Sequence, residues 1–172
     1  TIEKIQTYAF NRCTSLASVN FPSSLRQTYG NAFSETTAPQ AVTFTDGLDG
    51  IGSSAFSNSG LTTVTLPNSL TYLGNYAFSS CKDLASISIG TGITEIPYNC
   101  FTGCNALTSV DLPEHVTSIG GGAYSYCNGL VSITLPDHIQ TVGASAFASC
   151  SNLEEVVIPD NVTTLGEKAF QY

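Results

Sequence analysis

Pairs of a small residue and an aromatic residue recur along the chain at a nearly constant interval. Six of the seven steps between successive aromatics are equal, and one is shorter by a single residue. A period of about 23 residues kept over a whole chain is the sequence signature of a stacked repeat protein. The pairs are Ala9-Phe10, Ala32-Phe33, Ala55-Phe56, Ala77-Phe78, Cys100-Phe101, Ala123-Tyr124, Ala146-Phe147 and Ala169-Phe170.

Further apolar positions keep the same phase and predict a short strand after each aromatic. In "VSITLP", from Val131 to Pro136, Ile133 and Leu135 lie two residues apart among β-forming residues. This alternation is typical of a strand with one buried face. Because proline has no amide hydrogen to donate to a ladder, Pro136 should end the strand.

The segment around each aromatic has a different spacing and predicts a short helical turn. Ile119, Ala123 and Cys127 stand at i, i+4 and i+8, which would place them on one face of a helix. The glycines at 120, 121 and 122 disfavour a regular helix. A 3₁₀ or irregular segment is therefore the alternative.

One repeat of this size cannot fold alone. The burial of its few apolar side chains does not offset the conformational entropy lost on ordering about 23 residues. Stacking on neighbouring repeats covers the open faces of the core and pairs equivalent strands. The pattern therefore predicts a solenoid with about seven parallel strands along one side.

Two motifs indicate a family. The strand motif "LxxVxLP" resembles leucine-rich repeats, and the added "LxxIGxxAFxxC" is similar to the BspA-like, or Treponema-type, leucine-rich repeat of bacterial and protozoan surface proteins. The resemblance covers essentially residues 1–172. The second repeat departs from it, with Pro39 at the first leucine position and Thr28-Tyr29 in place of Ile-Gly, and Pro97 replaces a glycine in the fifth.

The resemblance implies the fold class and the domain organisation. We expect an α/β repeat solenoid, a leucine-rich-repeat horseshoe with a parallel concave sheet and short helical or irregular convex segments. Residues 1–172 would form a single leucine-rich-repeat domain of about seven 23-residue repeats, which is part of a longer array.

Charge excludes some partners. Only 10% of the residues are charged, and 13 acids against five bases give a net charge of -8. A surface of this sign repels phosphate, so we expect neither nucleic acid nor anionic membrane as a partner. No apolar run approaches the length of a membrane span, so membrane insertion is not expected either.

Five of the six cysteines share one repeat position, namely Cys13, Cys81, Cys104, Cys127 and Cys150. A disulfide framework or a metal site is one interpretation, but the closely spaced ligand pairs typical of zinc sites are absent from the sequence. Stacked equivalent positions point the same way and do not face each other. We therefore favour a buried ladder of free thiols, with the sixth cysteine, Cys100, also buried.

Few residues offer catalytic or metal-binding chemistry. The only histidines, His115 and His138, occupy the same repeat position, and each follows an acid, Glu114 or Asp137. A surface metal site would need these four side chains to converge, and a solvated turn is the favoured interpretation. No general acid–base pair stands out, so we expect no enzyme activity, no metal and no cofactor.

The outward-facing strand positions form the candidate binding surface. They are mostly small hydroxyl side chains, with acids only toward the carboxyl end and no aromatic anchor. A solvated sheet without a ligand is the alternative, and exposed tyrosines such as Tyr72, Tyr76 and Tyr126 offer a second adhesive surface. The proposed residues are Ser18, Asn20, Thr43, Thr63, Thr65, Ser86, Ser88, Ser109, Asp111, Ser132, Thr134 and Glu155.

The resemblance implies a function at the cell surface. BspA-like proteins are typically surface adhesins, so we expect an extracellular or cell-surface interaction module that binds proteins of a host or of a neighbouring cell. The alternative is a structural spacer or a self-assembling scaffold in an envelope or filament protein. Glycan binding on the strand positions is disfavoured, because no aromatic is available there for stacking. Partners are therefore a protein ligand or further copies of the chain.

Overall fold

A computed structural model describes residues 1–38 and 40–171, so Pro39 and Tyr172 lie outside the described residues. Within them, every strand pairing is parallel. The strands are β1 (Lys4–Ile5), β2 (Gln27–Thr28), β3 (Gln40–Thr43), β4 (Gly50–Ile51), β5 (Leu61–Thr65), β6 (Tyr72–Leu73), β7 (Ser86–Ser88), β8 (Glu95–Ile96), β9 (Ser109–Asp111), β10 (Ser118–Ile119), β11 (Ser132–Thr134), β12 (Thr141–Val142), β13 (Glu155–Val157) and β14 (Thr164–Leu165).

The strands form two series. The longer strands follow the aromatics and make two three-stranded sheets, β3-β5-β7 and β9-β11-β13. The two-residue strands precede the aromatics and make two four-stranded sheets, β1-β2-β4-β6 and β8-β10-β12-β14. Only the longer series was predicted from the sequence.

The register follows the repeat. Ile133 lies opposite Val110 and Val156, which are the equivalent residues of the repeats before and after it. In β11 the side chains alternate, with Ser132 and Thr134 exposed and Ile133 buried. Equivalent positions of successive repeats therefore stand side by side, which confirms the prediction of a parallel repeat solenoid.

The prediction of short helical turns around the aromatics is wrong. The described residues contain no helix, and Ile119 belongs to β10 while the following residues form turns. Residues two before and two after each ring from Phe10 to Phe147 adopt positive φ, such as Gly122 at 65° and Tyr126 at 59° around Tyr124. A left-handed residue at these two places interrupts any run of right-handed helix, so the irregular alternative applies.

Hydrogen bonds between repeats replace the helix. The amide of Tyr124 donates to the carbonyl oxygen of Ala146 in the next repeat (2.8 Å), and Phe101 donates to Ala123 in the same way (2.8 Å). Intervening amides donate three residues back, as Cys127 does to Tyr124 (3.2 Å). The turns are thus joined along the stack, and their backbone groups are satisfied without a helix.

The aromatic rings form one continuous column. Each ring stacks on the ring of the next repeat, from Phe10 to Phe170, with centroids 4.8–5.6 Å apart and planes within 15°. Five phenylalanines and Tyr124 in this column are fully buried. The column and the aliphatic residues of both strand series make a single hydrophobic cluster that runs from Ile5 to Ala169.

The first repeat lacks its predicted longer strand. Ser18 and Asn20 do not lie in a strand of the structure, although both are exposed. Val19 and Phe21 are only half-buried. The segment packs through side chains instead, because the Phe21 ring stacks on Phe44 at 4.9 Å. For these two positions the strand prediction was wrong.

Both strand series are interrupted at the same junction, between the repeats of Phe78 and Phe101. Strands β6 and β8 belong to different sheets, and so do β7 and β9. The aromatic column continues across the junction, with the two ring centroids 5.6 Å apart, and Phe78 donates to the carbonyl oxygen of Cys100 (2.9 Å). The repeats therefore stay adjacent at the turns while their strands are not paired.

Candidate functional site

The candidate binding surface is exposed over its whole length. All twelve proposed side chains are exposed, and ten of them lie on the longer strands. We call these ten the strand strip: Thr43, Thr63, Thr65, Ser86, Ser88, Ser109, Asp111, Ser132, Thr134 and Glu155.

The register aligns the strip into two rows. Thr63 lies beside Ser86 in one sheet, and Ser132 lies between Ser109 and Glu155 in the other. The second row consists of Thr43, Thr65 and Ser88 in the first sheet and of Asp111 and Thr134 in the second. Hydroxyl groups at strand spacing can donate and accept hydrogen bonds with a ligand laid across the strands.

The buried cysteines have a structural role. Cys81, Cys100, Cys104, Cys127 and Cys150 are buried free thiols, as predicted. Burial raises the thiol pKa of Cys81 and Cys150 from 9.0 to about 11 and that of Cys127 to about 12. A thiol that holds its proton this strongly is a poor nucleophile and a poor metal ligand.

Cys13 was predicted to be buried, and that prediction is wrong. Its thiol is exposed. The buried members of the ladder are each covered by the preceding repeat, as Cys104 is by the repeat of Phe78. In this structure no repeat covers Cys13 from that side, and its side chain is exposed.

The histidines do not gather into a metal site. Nδ1 of His138 lies 3.9 Å from a carboxylate oxygen of Glu114, and both side chains are largely exposed. No group of three or more metal-ligating side chains occurs within residues 1–38 and 40–171. The arrangement fits the solvated turn that the sequence favoured.

No helix long and apolar enough to cross a bilayer is present in the described part of the chain.

The sequence predicts exposed tyrosines, but not the opening that some of them flank on the short-strand side. Tyr72, Tyr76 and Tyr98 are exposed next to the interrupted junction between β6 and β8. Tyr72 and Tyr76 are among the tyrosines that the sequence predicts to be exposed, but nothing in the periodicity indicates that they flank an opening. The available signal was Pro97, which stands where most repeats have a glycine whose amide joins two short strands.

Parallel strands in two series, a stacked aromatic column and a constant repeat length define a leucine-rich-repeat solenoid. A family model for the BspA type leucine rich repeat region matches this chain in six copies, over residues 1–105 and 49–172. The chain therefore belongs to the BspA-type leucine-rich repeat family.

Solved structures agree with this assignment. A leucine-rich repeat protein from Bacteroides ovatus is 30% identical, with a TM-score of 0.91 over 99% of this chain and 44% of its own length. A leucine rich repeat protein from T. pallidum is 28% identical, with a TM-score of 0.56 over 74% of this chain and 73% of its own. A leucine rich cell surface protein from Faecalibacterium prausnitzii is 23% identical, with a TM-score of 0.56 over 89% of this chain and 56% of its own. Curated proteins give no match.

Proposed function

We propose that this chain is a non-catalytic interaction module of a cell-surface protein, and that the strand strip binds proteins of a host or of a neighbouring cell. The observation that carries the proposal is the strip itself: ten exposed positions in register across two parallel sheets. The F. prausnitzii neighbour, described as a cell surface protein, supports the location.

The chemistry of the strip favours an extended contact of modest strength. Most of its side chains are serine and threonine, with carboxylates only at Asp111 and Glu155. Without aromatic or arginine anchors, single contacts contribute little, so affinity must accumulate over many repeats. A flat neutral ligand surface, or several copies of it, would fit such a strip.

The test is binding of the purified chain to immobilised extracellular matrix proteins. Thr63→Arg and Ser132→Arg place a long charged side chain at the middle strand of each sheet and should abolish retention. Ser53→Arg, at an exposed turn position, is the matched control and should bind as the parent chain does. Absence of retention on every matrix protein, or equal loss in all three variants, would contradict the proposal.

The structural alternative makes a different prediction. A spacer or self-assembling scaffold would form larger species as the concentration rises, which sedimentation velocity detects. A species of constant size, together with strip-dependent retention, would favour the interaction module. Open-ended growth that the strip variants leave unchanged would favour the scaffold.

A further inference from the structure

The interrupted junction opens a polar cleft between β6 and β8. Its volume is about 380 Å³, and it is lined from both sides by residues of the two short strands and their flanks. Leu73 and Ile93 are buried and form its apolar base. Asn75, Thr94 and Glu95 supply an amide, a hydroxyl and a carboxylate.

Pro97 explains why the cleft exists. At other junctions the residue after the short strand donates its amide hydrogen to the preceding strand, as Gly74 does to Ile51 (2.8 Å) and Gly120 does to Ile96 (2.7 Å). Pro97 occupies the equivalent position and has no amide hydrogen. Among the described residues no backbone hydrogen bond joins 71–73 to 94–97. The carbonyl group of Leu73 consequently lacks the donor that its equivalents have, at the wall of the cleft.

Tyrosines are concentrated around the same opening. Tyr72 lines the cleft, is 55% exposed, and its ring lies over Gly50. Tyr76 and Tyr98 follow the lining residues Asn75 and Pro97 in the chain, and their rings meet edge to face at 5.5 Å. At the Tyr72 position the other repeats carry lysine, glutamine, glycine, glutamate, serine or threonine. The aromatic surface is therefore a local feature of this junction rather than part of the repeat.

From this juxtaposition we propose that the cleft between β6 and β8 binds a neutral carbohydrate. An exposed tyrosine ring offers an apolar face for the C–H side of a sugar ring and a hydroxyl for its rim. Thr94, Asn75 and Glu95 can bond vicinal sugar hydroxyls, and the unpaired carbonyl group of Leu73 can accept one more. The volume accommodates one or two sugar rings, a size typical of small-ligand sites.

Charge and edge length separate this ligand from the alternatives. The cleft lining contains Glu95 and no lysine or arginine, so it repels phosphate, sulfate and acidic sugars. An extended peptide would need a strand edge to pair with. Here each edge is two residues long, and Pro97 ends one of them, so few backbone bonds are available. A neutral sugar uses side chains and a single carbonyl group and does not need that edge.

The test measures binding of four neutral oligosaccharides, maltohexaose, cellohexaose, mannohexaose and hexa-N-acetylchitohexaose, by isothermal titration calorimetry. At least one should bind the parent chain. Tyr72→Ala should weaken that binding by ~10-fold or more, since the stacking ring is lost. Glu95→Gln should weaken it severalfold while leaving the shape of the cleft. Tyr126→Ala is the matched control, because Tyr126 is 60% exposed but does not line the cleft.

Pro97→Gly is the sharpest variant. It returns an amide hydrogen that can donate to the carbonyl oxygen of Leu73, so the junction should close, the affinity should fall, and thermal stability should be retained. Amide chemical-shift changes in the parent chain should cluster at residues 71–75, 93–96 and 98. No heat with any of the four sugars, shifts confined to other residues, or equal binding by Tyr72→Ala and Tyr126→Ala would overturn the proposal. Strip variants should bind the sugar normally, which separates this site from the proposed protein-binding strip.

Discussion

The Sγ atom of Cys104 donates a 3.3 Å hydrogen bond to the carbonyl oxygen of Phe78, in the preceding repeat. Cys127 does the same to Phe101, and Cys150 to Tyr124, both at 3.1 Å. Each thiol therefore joins its own repeat to the carbonyl group of the preceding aromatic. The shared cysteine position is thus a hydrogen-bonding position as well as a packing position. Thr36 and Ser59 keep a donor there, but their hydroxyl groups donate to the aromatic residue of their own repeat, Phe33 (2.8 Å) and Phe56 (2.6 Å).

Cys104→Ala should lower the free energy of unfolding by ~1–2 kcal/mol, because it removes a buried sulfur and one weak hydrogen bond. Cys13→Ala, at the same repeat position but exposed, should stay within ~0.5 kcal/mol. Urea unfolding monitored by circular dichroism measures both. Equal losses would mean that burial and the thiol bond contribute nothing at this position.

Thiol labelling of the native chain should modify one cysteine quickly. Cys13 is exposed, whereas the other five are buried. Under denaturing, non-reducing conditions all six should react, since the structure has six free thiols. Mass spectrometry after labelling with and without denaturant counts the groups. Fewer than six labels in denaturant would reveal a disulfide.

Stability should fall as the pH rises above 9. The pKa of Cys81 and of Cys150 is raised from 9.0 to about 11 by burial in the folded chain. Between these values the unfolded chain has released thiol protons that the folded chain still binds, so rising pH favours unfolding. Below pH 9 these groups have no effect. Urea midpoints from pH 8 to pH 11 in reducing buffer test this. Replacing both cysteines by serine should make the decline shallower without removing it, because burial also raises the thiol pKa of Cys100, Cys104 and Cys127.

Tyr124→Phe should stabilise the protein by ~1 kcal/mol, since removing an unsatisfied buried polar group avoids its desolvation cost. The Tyr124 ring stacks on Phe101 and Phe147, but its buried hydroxyl has no hydrogen-bond partner among the described residues. Phe101→Tyr introduces a hydroxyl into the same column and should destabilise by a similar amount. Thermal unfolding compares the pair, and a lower melting temperature for Tyr124→Phe would contradict the interpretation.

Phe101→Ala should cost ~3–5 kcal/mol, since it truncates a fully buried ring in the middle of the column. Thr65→Ala, on the exposed strip, should change the free energy of unfolding by no more than ~0.5 kcal/mol. Chemical denaturation of both variants gives the two values. Similar losses in the two variants would show that the assignment of buried and exposed faces is incorrect.

The period of the repeat determined which residues meet. Equivalent positions such as Val110, Ile133 and Val156 had to stack, because one repeat alone exposes most of its apolar side chains. Alternation within each longer strand then decided which side chains face solvent, and the ten strip residues lie where that alternation put them. These features depend on local sequence repeated in phase, so one chain was enough to predict them.

Only the tertiary structure decided how the backbone between those positions is bonded. The spacing of Ile119, Ala123 and Cys127 fits a helix and a stack of turns equally well, and the choice depends on carbonyl groups supplied by the next repeat. The burial of a cysteine likewise depends on the repeat before it, as Cys13 and Cys104 show. Pro97 could be seen in the sequence, but the cleft beside it could not. The cleft exists because hydrogen bonds between the turns and the stacked ring of Phe78 hold the two repeats together where their strands do not pair.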